Sequence, residues 1–399
     1  MNARQPAIAA ARLRMHSAVA SGGVPAVAAA VVCAGHVVFS GADGKAGGRP
    51  CSADKTLFLT ASISKTFTAL SCLQAVERGE LDLDSDISRY TKSTVRNPHF
   101  AGHSITTRHL LQHISGLCDD ESALDEASPW RTEGADCQVS LSSYVRRRLH
   151  HDGDAFEDLW SDVAPPGQAA YHYSNAGFAL AGWVLECATG KTLANLCRER
   201  IFAPLDMRSS AFTLQEALST PDSVVATPMP PGHHYGVAEY PAAGLRSTAS
   251  DLAKYLVALT ALPGDCLLLN GDLRQLLMPE SFKQGLAWWG RDTWYGEQDD
   301  EGDWQVEDQV WSHGGFMQGV RTHVHLWPLR RAAIVVLTNS EEEEAKEDVA
   351  EALKQVMLAA LDGKDGGAPQ PAAATAAVEE GAAATPAHVG DKRQREEGE

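Results

Sequence analysis

Ser62 and Lys65 stand three residues apart in Thr60-Ala61-Ser62-Ile63-Ser64-Lys65-Thr66-Phe67. Phe67, Leu70, Leu73 and Val76 then recur at spacings of three, which predicts a helix over 66–78 with one side turned to a core. Gly79, just past Arg78, is a stop signal. Residues three apart share a helix face, so the lysine side chain lies beside the serine. Backbone N–H groups at that helix end also favour nearby negative charge. A serine hydroxyl becomes a nucleophile when an adjacent base takes its proton. Lysine can be that base once burial or neighbouring cations pull its pKa down from about 10.4. The same residues also fit a helix N-cap followed by a solvent-facing lysine. The rest of the chain has to decide.

Two further stretches carry polar groups at useful places. Tyr173-Ser174-Asn175 lies just before an apolar helix. In an extended segment residues i and i+2 point the same way, so a hydroxyl and an amide converge that can pass a proton and hold a carbonyl. The plainer account is a buried tyrosine with an asparagine cap. His313-Gly314-Gly315 falls in a strand pattern, where glycines mark a bulge or the close approach of a backbone or ligand. A histidine beside them makes a substrate-facing edge.

The elements that must position these residues follow from the pattern. An amphipathic first helix, with Ile8, Ala11, Leu13 and Val19 inward, precedes the small apolar run 24–32, which suits a strand buried on both faces. Ala34-Gly35 turns that run into His36–Ser40, a β-hairpin. From residue 58 to about 240 the pattern is mainly helical: Thr106 to His113 with Leu110 and Leu111 inward, Phe178 to Ala188 stopped by Gly190, and further helices beyond. Asp82, Asp84 and Asp86 alternate in a loop, but no glutamate closes a calcium site. Residues 118–164 form a long acidic connection with one helix, Leu141 to Leu149, of a length suited to a lid or to a plain surface insertion. Ser247 to Leu259 is a helix capped by Thr248 or Ser250. Strands return at 311–320, 322–327 and 332–339, followed by a helix over 341–361. Residues 363–399, rich in Ala, Gly, Pro and charge, are expected to be disordered. The fold class is therefore α+β: one antiparallel sheet built from both ends of the chain (5–57 and 241–362), flanked by helices, with a helical part (58–240) inserted.

Composition excludes several functions. A net charge of −18 over 399 residues argues against nucleic acid and anionic membrane surfaces as partners. No stretch has the length of a membrane-spanning helix. The eight cysteines include no C-x-x-C pair, and Cys72 and Cys187 fall in apolar helical patterns, so buried thiols are expected. The fifteen histidines show no metal spacing, and His150-His151 and His233-His234 would point apart on a helix. Neither metal nor cofactor is expected. Arg4, Arg12 and Arg14 precede the first acidic residue, Asp43, which resembles a mitochondrial transit peptide. The helical reading is preferred, and it makes the protein cytoplasmic.

Taken together in this order, Ser62-x-x-Lys65, Tyr173-x-Asn175 and His313-Gly314-Gly315 resemble the three motifs of the serine β-lactamase-like superfamily. The branch they resemble is the class C type, with its esterases, DD-peptidases, D-aminopeptidases and LACTB-like proteins. His109 to Leu117 is similar to the family's RHLLTHTSGL segment, and the similarity extends over roughly 5–361. The resemblance implies a β-lactamase/transpeptidase-like fold and a hydrolase working through an acyl-enzyme. It assigns Ser62 as nucleophile, Lys65 as base, Tyr173 as the second member of the proton relay, and Asn175 as a substrate-orienting amide. His313 would line the edge strand, with the N–H groups of Ser62 and Phe316 as the oxyanion hole. The third motif departs from the Lys-Thr-Gly of true β-lactamases. A histidine, mostly neutral at pH 7, in place of a fixed cation favours neutral esters or amides over penicillins. A β-lactam or D-amino-acid peptide substrate, and a catalytically idle scaffold, remain the alternatives. The oligomeric state is not legible.

Overall fold

Ala26–Cys33 is buried along its whole length, and its alternate residues serve two different cores. Val27, Ala29 and Val31 face one cluster, whereas Ala26, Ala28, Ala30 and Val32 face the other. A strand of small apolar residues can do this because it lies inside a sheet covered on both sides. The computed structural model describes residues 4–118, 122–156, 159–261, 268–279, 285–298 and 304–362.

The sheet is antiparallel throughout. Its strands are β1 (Ala26–Cys33), β2 (His36–Ala46), β3 (Arg49–Pro50), β4 (Trp289–Gln298), β5 (Trp304–Met317), β6 (Val320–Trp327) and β7 (Ala332–Thr338). Their order is β4-β5-β6-β7-β1-β2-β3. The central pairing of β1 with β7, Val27 opposite Thr338, joins the two ends of the domain. The expected hairpin forms at Ala34-Gly35, where both residues take positive φ (51° and 80°), the requirement of a two-residue turn between twisted strands. The strand 289–298 is an addition that the sequence pattern did not disclose. The β5–β6 hairpin turns at Gln318-Gly319, with Val320 already in β6 opposite Met317. The expected 311–320 strand is corrected accordingly.

Helices α1 (Arg4–Ala20) and α5 (Glu343–Asp362) cover one face. The inward side of α1 is Ala11, Met15 and Ala18; Leu13, expected inside, is 63% exposed. The register of the helix turns Leu13 away from Ala11 and Met15. On the other face lie α2 (Ser64–Glu77), α3 (Asn175–Thr189) and α4 (Ala249–Leu259). Helix α2 is buried on every side from Ser64 to Ala75, not on one side only. Its polar residues are bonded inside, as when Thr68 Oγ1 donates to the Pro241 carbonyl at 2.7 Å. Ser174 caps α3 by accepting the Gly177 N–H, and Thr248 caps α4 by accepting the Asp251 N–H. A second, small sheet joins the two parts, with Thr56–Leu59 between Val224–Val225 and Arg246–Ser247.

Asp84 and Asp86 are taken by Arg108 (2.7 and 2.9 Å) and Arg96 (3.1 Å). Those loop aspartates therefore serve ion pairs. The 118–164 connection contains a strand, Arg131–Glu133, paired with Tyr235–Val237, and the expected helix over 141–149. His150 and His151 follow that helix in a non-helical conformation, and their rings stack at 4.8 Å instead of pointing apart. With Asp152 they form the one group of metal-capable side chains found among the described residues. Cysteines 33, 51, 72, 118, 137, 187 and 197 are free thiols, and Cys187, expected inside, is exposed. No helix among the described residues is long and apolar enough to cross a membrane. The expected disorder of 363–399 lies outside the described residues.

Candidate active site

A strained turn presents Ser62. Ala61 has φ of +48°, a conformation that costs a residue with a Cβ about 1–3 kcal/mol and persists only when its surroundings impose it. Here Thr322 Oγ1 donates to the Thr60 carbonyl (2.8 Å), and the Thr60 N–H donates to the Leu245 carbonyl (2.8 Å). Strand β6 and the segment before α4 thus hold the turn from both sides. Ser62 itself lies in a short 3-10 turn, Ala61–Ile63, that runs into α2.

Lys65 is fully buried. Its Nζ donates to Ser62 Oγ at 3.0 Å, to Asn175 Oδ1 at 2.6 Å and to the Ala242 carbonyl at 3.1 Å. The solvent-facing lysine of the plainer account is therefore set aside. The aromatic ring of Tyr173 lies 4.8 Å from Nζ, and the Tyr173 hydroxyl donates to Ser62 Oγ at 2.8 Å. Asn175 is the first residue of α3 and Ser174 is its cap, so the asparagine is free of the capping task considered for it. The first two motifs, over a hundred residues apart, meet at one oxygen atom.

The third motif forms the free edge of β5. Strand β4 accompanies β5 only as far as Trp289 opposite Ser312, so among the described residues His313 to Met317 have no strand partner on that side. Gly315 is needed here: a Cβ on it would stand 2.0 Å from Thr322 Oγ1 and 2.4 Å from the Thr60 carbonyl. His313 is buried, and its Nδ1 lies 2.7 Å from the Gly314 carbonyl, which makes Nδ1 the protonated nitrogen. Burial first, and the Lys65 charge second, push its pKa down to about 3. The ring is therefore neutral at pH 7, well beyond what its ordinary pKa provides.

A cleft of about 550 Å³ opens over these groups. Ser62, Tyr173, Asn175, His313, Gly314, Gly315 and Phe316 all line it, while Lys65 sits behind the wall. Phe316 is half exposed, with the Arg321 guanidinium 3.5 Å above its ring. Leu124, Asp125, Glu126 and Arg131 bring the 118–164 connection to the rim, and Arg131 donates to Gln318 Oε1 at 2.7 Å. Each cation in the cleft wall has an acidic partner: Arg131 with Glu133 (2.5 Å), Arg321 with Glu343 (3.1 Å), and Lys346 with Glu343 (2.5 Å). The sequence reading missed the Ala242 carbonyl, Arg131 and the rim residues, because only the fold brings them here. It also gave His113 no role, although its ring stacks on Tyr173 at 4.6 Å.

The family model described as Beta-lactamase matches residues 11–389. The chain belongs to the beta-lactamase family. The match runs past 362, into the stretch read from sequence as a tail. Esterase EstB of Burkholderia gladioli is 31% identical over 268 residues, 58% of this chain and 64% of the esterase. Penicillin-binding protein 4 of Amycolatopsis lactamdurans is 29% identical over 197 residues, 49% of this chain and 46% of that protein. The chain thus spans less than two thirds of the length of these relatives. Among solved structures, D-amino acid amidase from Ochrobactrum anthropi SV3 superposes with a TM-score of 0.65 at 22% identity, over 89% of this chain and 98% of the amidase. Class C beta lactamase from Rhodobacter sphaeroides gives 0.64 at 20%, over 88% and 99%. These neighbours share the fold, a mixed α+β architecture with an antiparallel sheet and helices, as the motif resemblance implied.

Proposed function

We propose that this family member is a serine hydrolase that cleaves carboxylic esters or amides through an acyl-enzyme on Ser62. The observation that carries the reading is the convergence of Lys65 Nζ and Tyr173 Oη on Ser62 Oγ, at 3.0 and 2.8 Å. In the acylation step Lys65 acts in its deprotonated form, in which Nζ, 3.0 Å from Ser62 Oγ, accepts the serine hydroxyl proton as Oγ attacks the substrate carbonyl. The Lys65–Tyr173 pair then delivers a proton to the departing alcohol or amine. Water, activated by the same pair, releases the acid and restores the serine. A base of this kind supplies about 10²–10⁴ in rate.

The N–H groups of Ser62 and Phe316 are the proposed oxyanion hole, each worth about 10²–10³. The register supports Phe316: with Met317 and Val320 closing a two-residue turn, ladder alternation directs the Phe316 N–H away from β6. Preference for neutral substrates rests on two features. His313 is uncharged, and the cations of the cleft are engaged by Glu133 and Glu343. Among the described residues, each cation lining the cleft already has a carboxylate beside it, with which the carboxylate of a penicillin would have to compete. The cleft open to a small-molecule substrate is lined by Phe316 and Trp289 and by Leu124, Asp125 and Glu126.

The test compares turnover of 4-nitrophenyl esters, D-amino-acid amides and a chromogenic cephalosporin by one preparation. Turnover of esters or amides well above that of the cephalosporin is expected. Cephalosporin turnover with both others untouched would reverse the preference, and silence towards all three would favour the idle scaffold.

A further inference from the structure

His113 is a buried titratable group that the proposed acyl-transfer steps do not use, and it holds the chain on both sides of Tyr173. The His172 N–H donates to the His113 carbonyl at 2.9 Å, and the Ser174 N–H donates to His113 Nδ1, also at 2.9 Å. Between these two anchors the Tyr173 ring stacks on the imidazole at 4.6 Å and 28°. Phe178 and Tyr171 close round the same ring at 5.0 and 5.4 Å.

We propose that His113 is a positioning residue for the proton relay: its carbonyl, its Nδ1 and its ring face together fix Tyr173 so that the hydroxyl reaches Ser62. The inference rests on the acyl-enzyme reading above.

Three features support it. Because Nδ1 accepts a hydrogen bond, the ring is the neutral Nε2–H tautomer; a protonated ring would set two N–H groups against each other. Burial above all, then the charge of Lys65 and the neighbouring His313, lowers its pKa well below the ordinary value, which disfavours the protonated ring. His113 also has φ of +58°, where glycine would sit without strain. A histidine kept at such a position earns its place through its side chain. Its carbonyl could be supplied by any residue, but the acceptor for Ser174 could not.

The test reads the second-order rate at which a fluorophosphonate labels Ser62 in wild type, Tyr173→Phe, His113→Gly, His113→Asn and the double variant His113→Gly/Tyr173→Phe. Glycine suits the backbone and removes acceptor and ring. Asparagine tolerates the same backbone and restores an acceptor near Nδ1. Tyr173→Phe is expected to lower the rate by about 10²–10⁴, and His113→Gly by about 10² through misplacement of the hydroxyl. The double variant should match Tyr173→Phe within about twofold, the scatter of an uncoupled change, and His113→Asn should recover about tenfold over His113→Gly. A His113→Gly loss that multiplies in full onto Tyr173→Phe overturns the proposal, because a purely structural residue behaves that way. So does a His113→Asn variant no faster than His113→Gly. If His113→Gly fails to fold, folded His113→Asn decides alone: a rate within about tenfold of wild type upholds the proposal, and a rate as low as Tyr173→Phe overturns it. A Tyr173→Phe variant labelled as fast as wild type removes the relay reading itself, which is a separate outcome from additivity.

Discussion

Asn175 Oδ1 accepts a hydrogen bond from Lys65 Nζ at 2.6 Å, so the asparagine of the second motif holds the lysine of the first. The amide is neutral, which lets it anchor the amine without fixing its charge. Replacing it with a carboxylate changes that. Asn175→Asp puts an opposite charge against Nζ and favours the protonated lysine. The variant should lose activity at neutral pH and regain part of it as pH rises, with the basic shift visible in a pH profile of kcat/KM.

Lys65 is asked to be a base. Lys65→Arg keeps a cation of similar reach but one that does not deprotonate. A loss of about 10²–10⁴ in kcat/KM is expected in steady-state assays. Retention of wild-type turnover would mean that the residue acts only through its charge.

His313 makes stability depend on pH in a definite direction. Its folded pKa, about 3, lies below the ordinary value of about 6.5. Between the two, the unfolded chain carries a proton that the folded chain does not. Stability is therefore full above about pH 6.5 and falls as pH drops below it, by up to about 1.4 kcal/mol per pH unit for such a histidine. His113 acts in the same direction. Thermal unfolding followed from pH 7.5 to 5 should show Tm decreasing, and His313→Asn should flatten the decrease.

The two glycines of the third motif are not equivalent. A Cβ on Gly314 meets nothing within 4 Å, whereas one on Gly315 collides with Thr322 and with the Thr60 carbonyl. Gly314→Ala should leave Tm close to wild type. Gly315→Ala should cost about 1–3 kcal/mol of stability and lower kcat/KM, since β5 must retreat from the turn that carries Ser62. Calorimetry and ester turnover on both variants check this.

The proximity of Ser62 and Lys65 was legible in the sequence because helical spacing alone sets it. The hairpin at Ala34-Gly35 and the caps at Thr248 and Gly190 were legible for the same local reasons. Tyr173, Asn175 and His313 could be attached to the site only through the motif resemblance, because nothing local says that they meet. What stayed hidden depends on contacts distant in sequence: the Ala242 carbonyl on Lys65, His113 under Tyr173, and the rim at Leu124–Glu126. The strain at Ala61 was hidden too, because alanine gives no sign of a positive φ that β6 and Leu245 impose. Leu13 was misplaced because hydrophobicity alone does not set the register of a helix.

The central claim is that Ser62 is an activated nucleophile. It is tested most directly by intact mass after exposure to a fluorophosphonate, for wild type and for Ser62→Ala. A single adduct on the wild type that is absent from the variant is the predicted result. No adduct on folded wild-type protein, or an adduct that survives the substitution, would contradict the account.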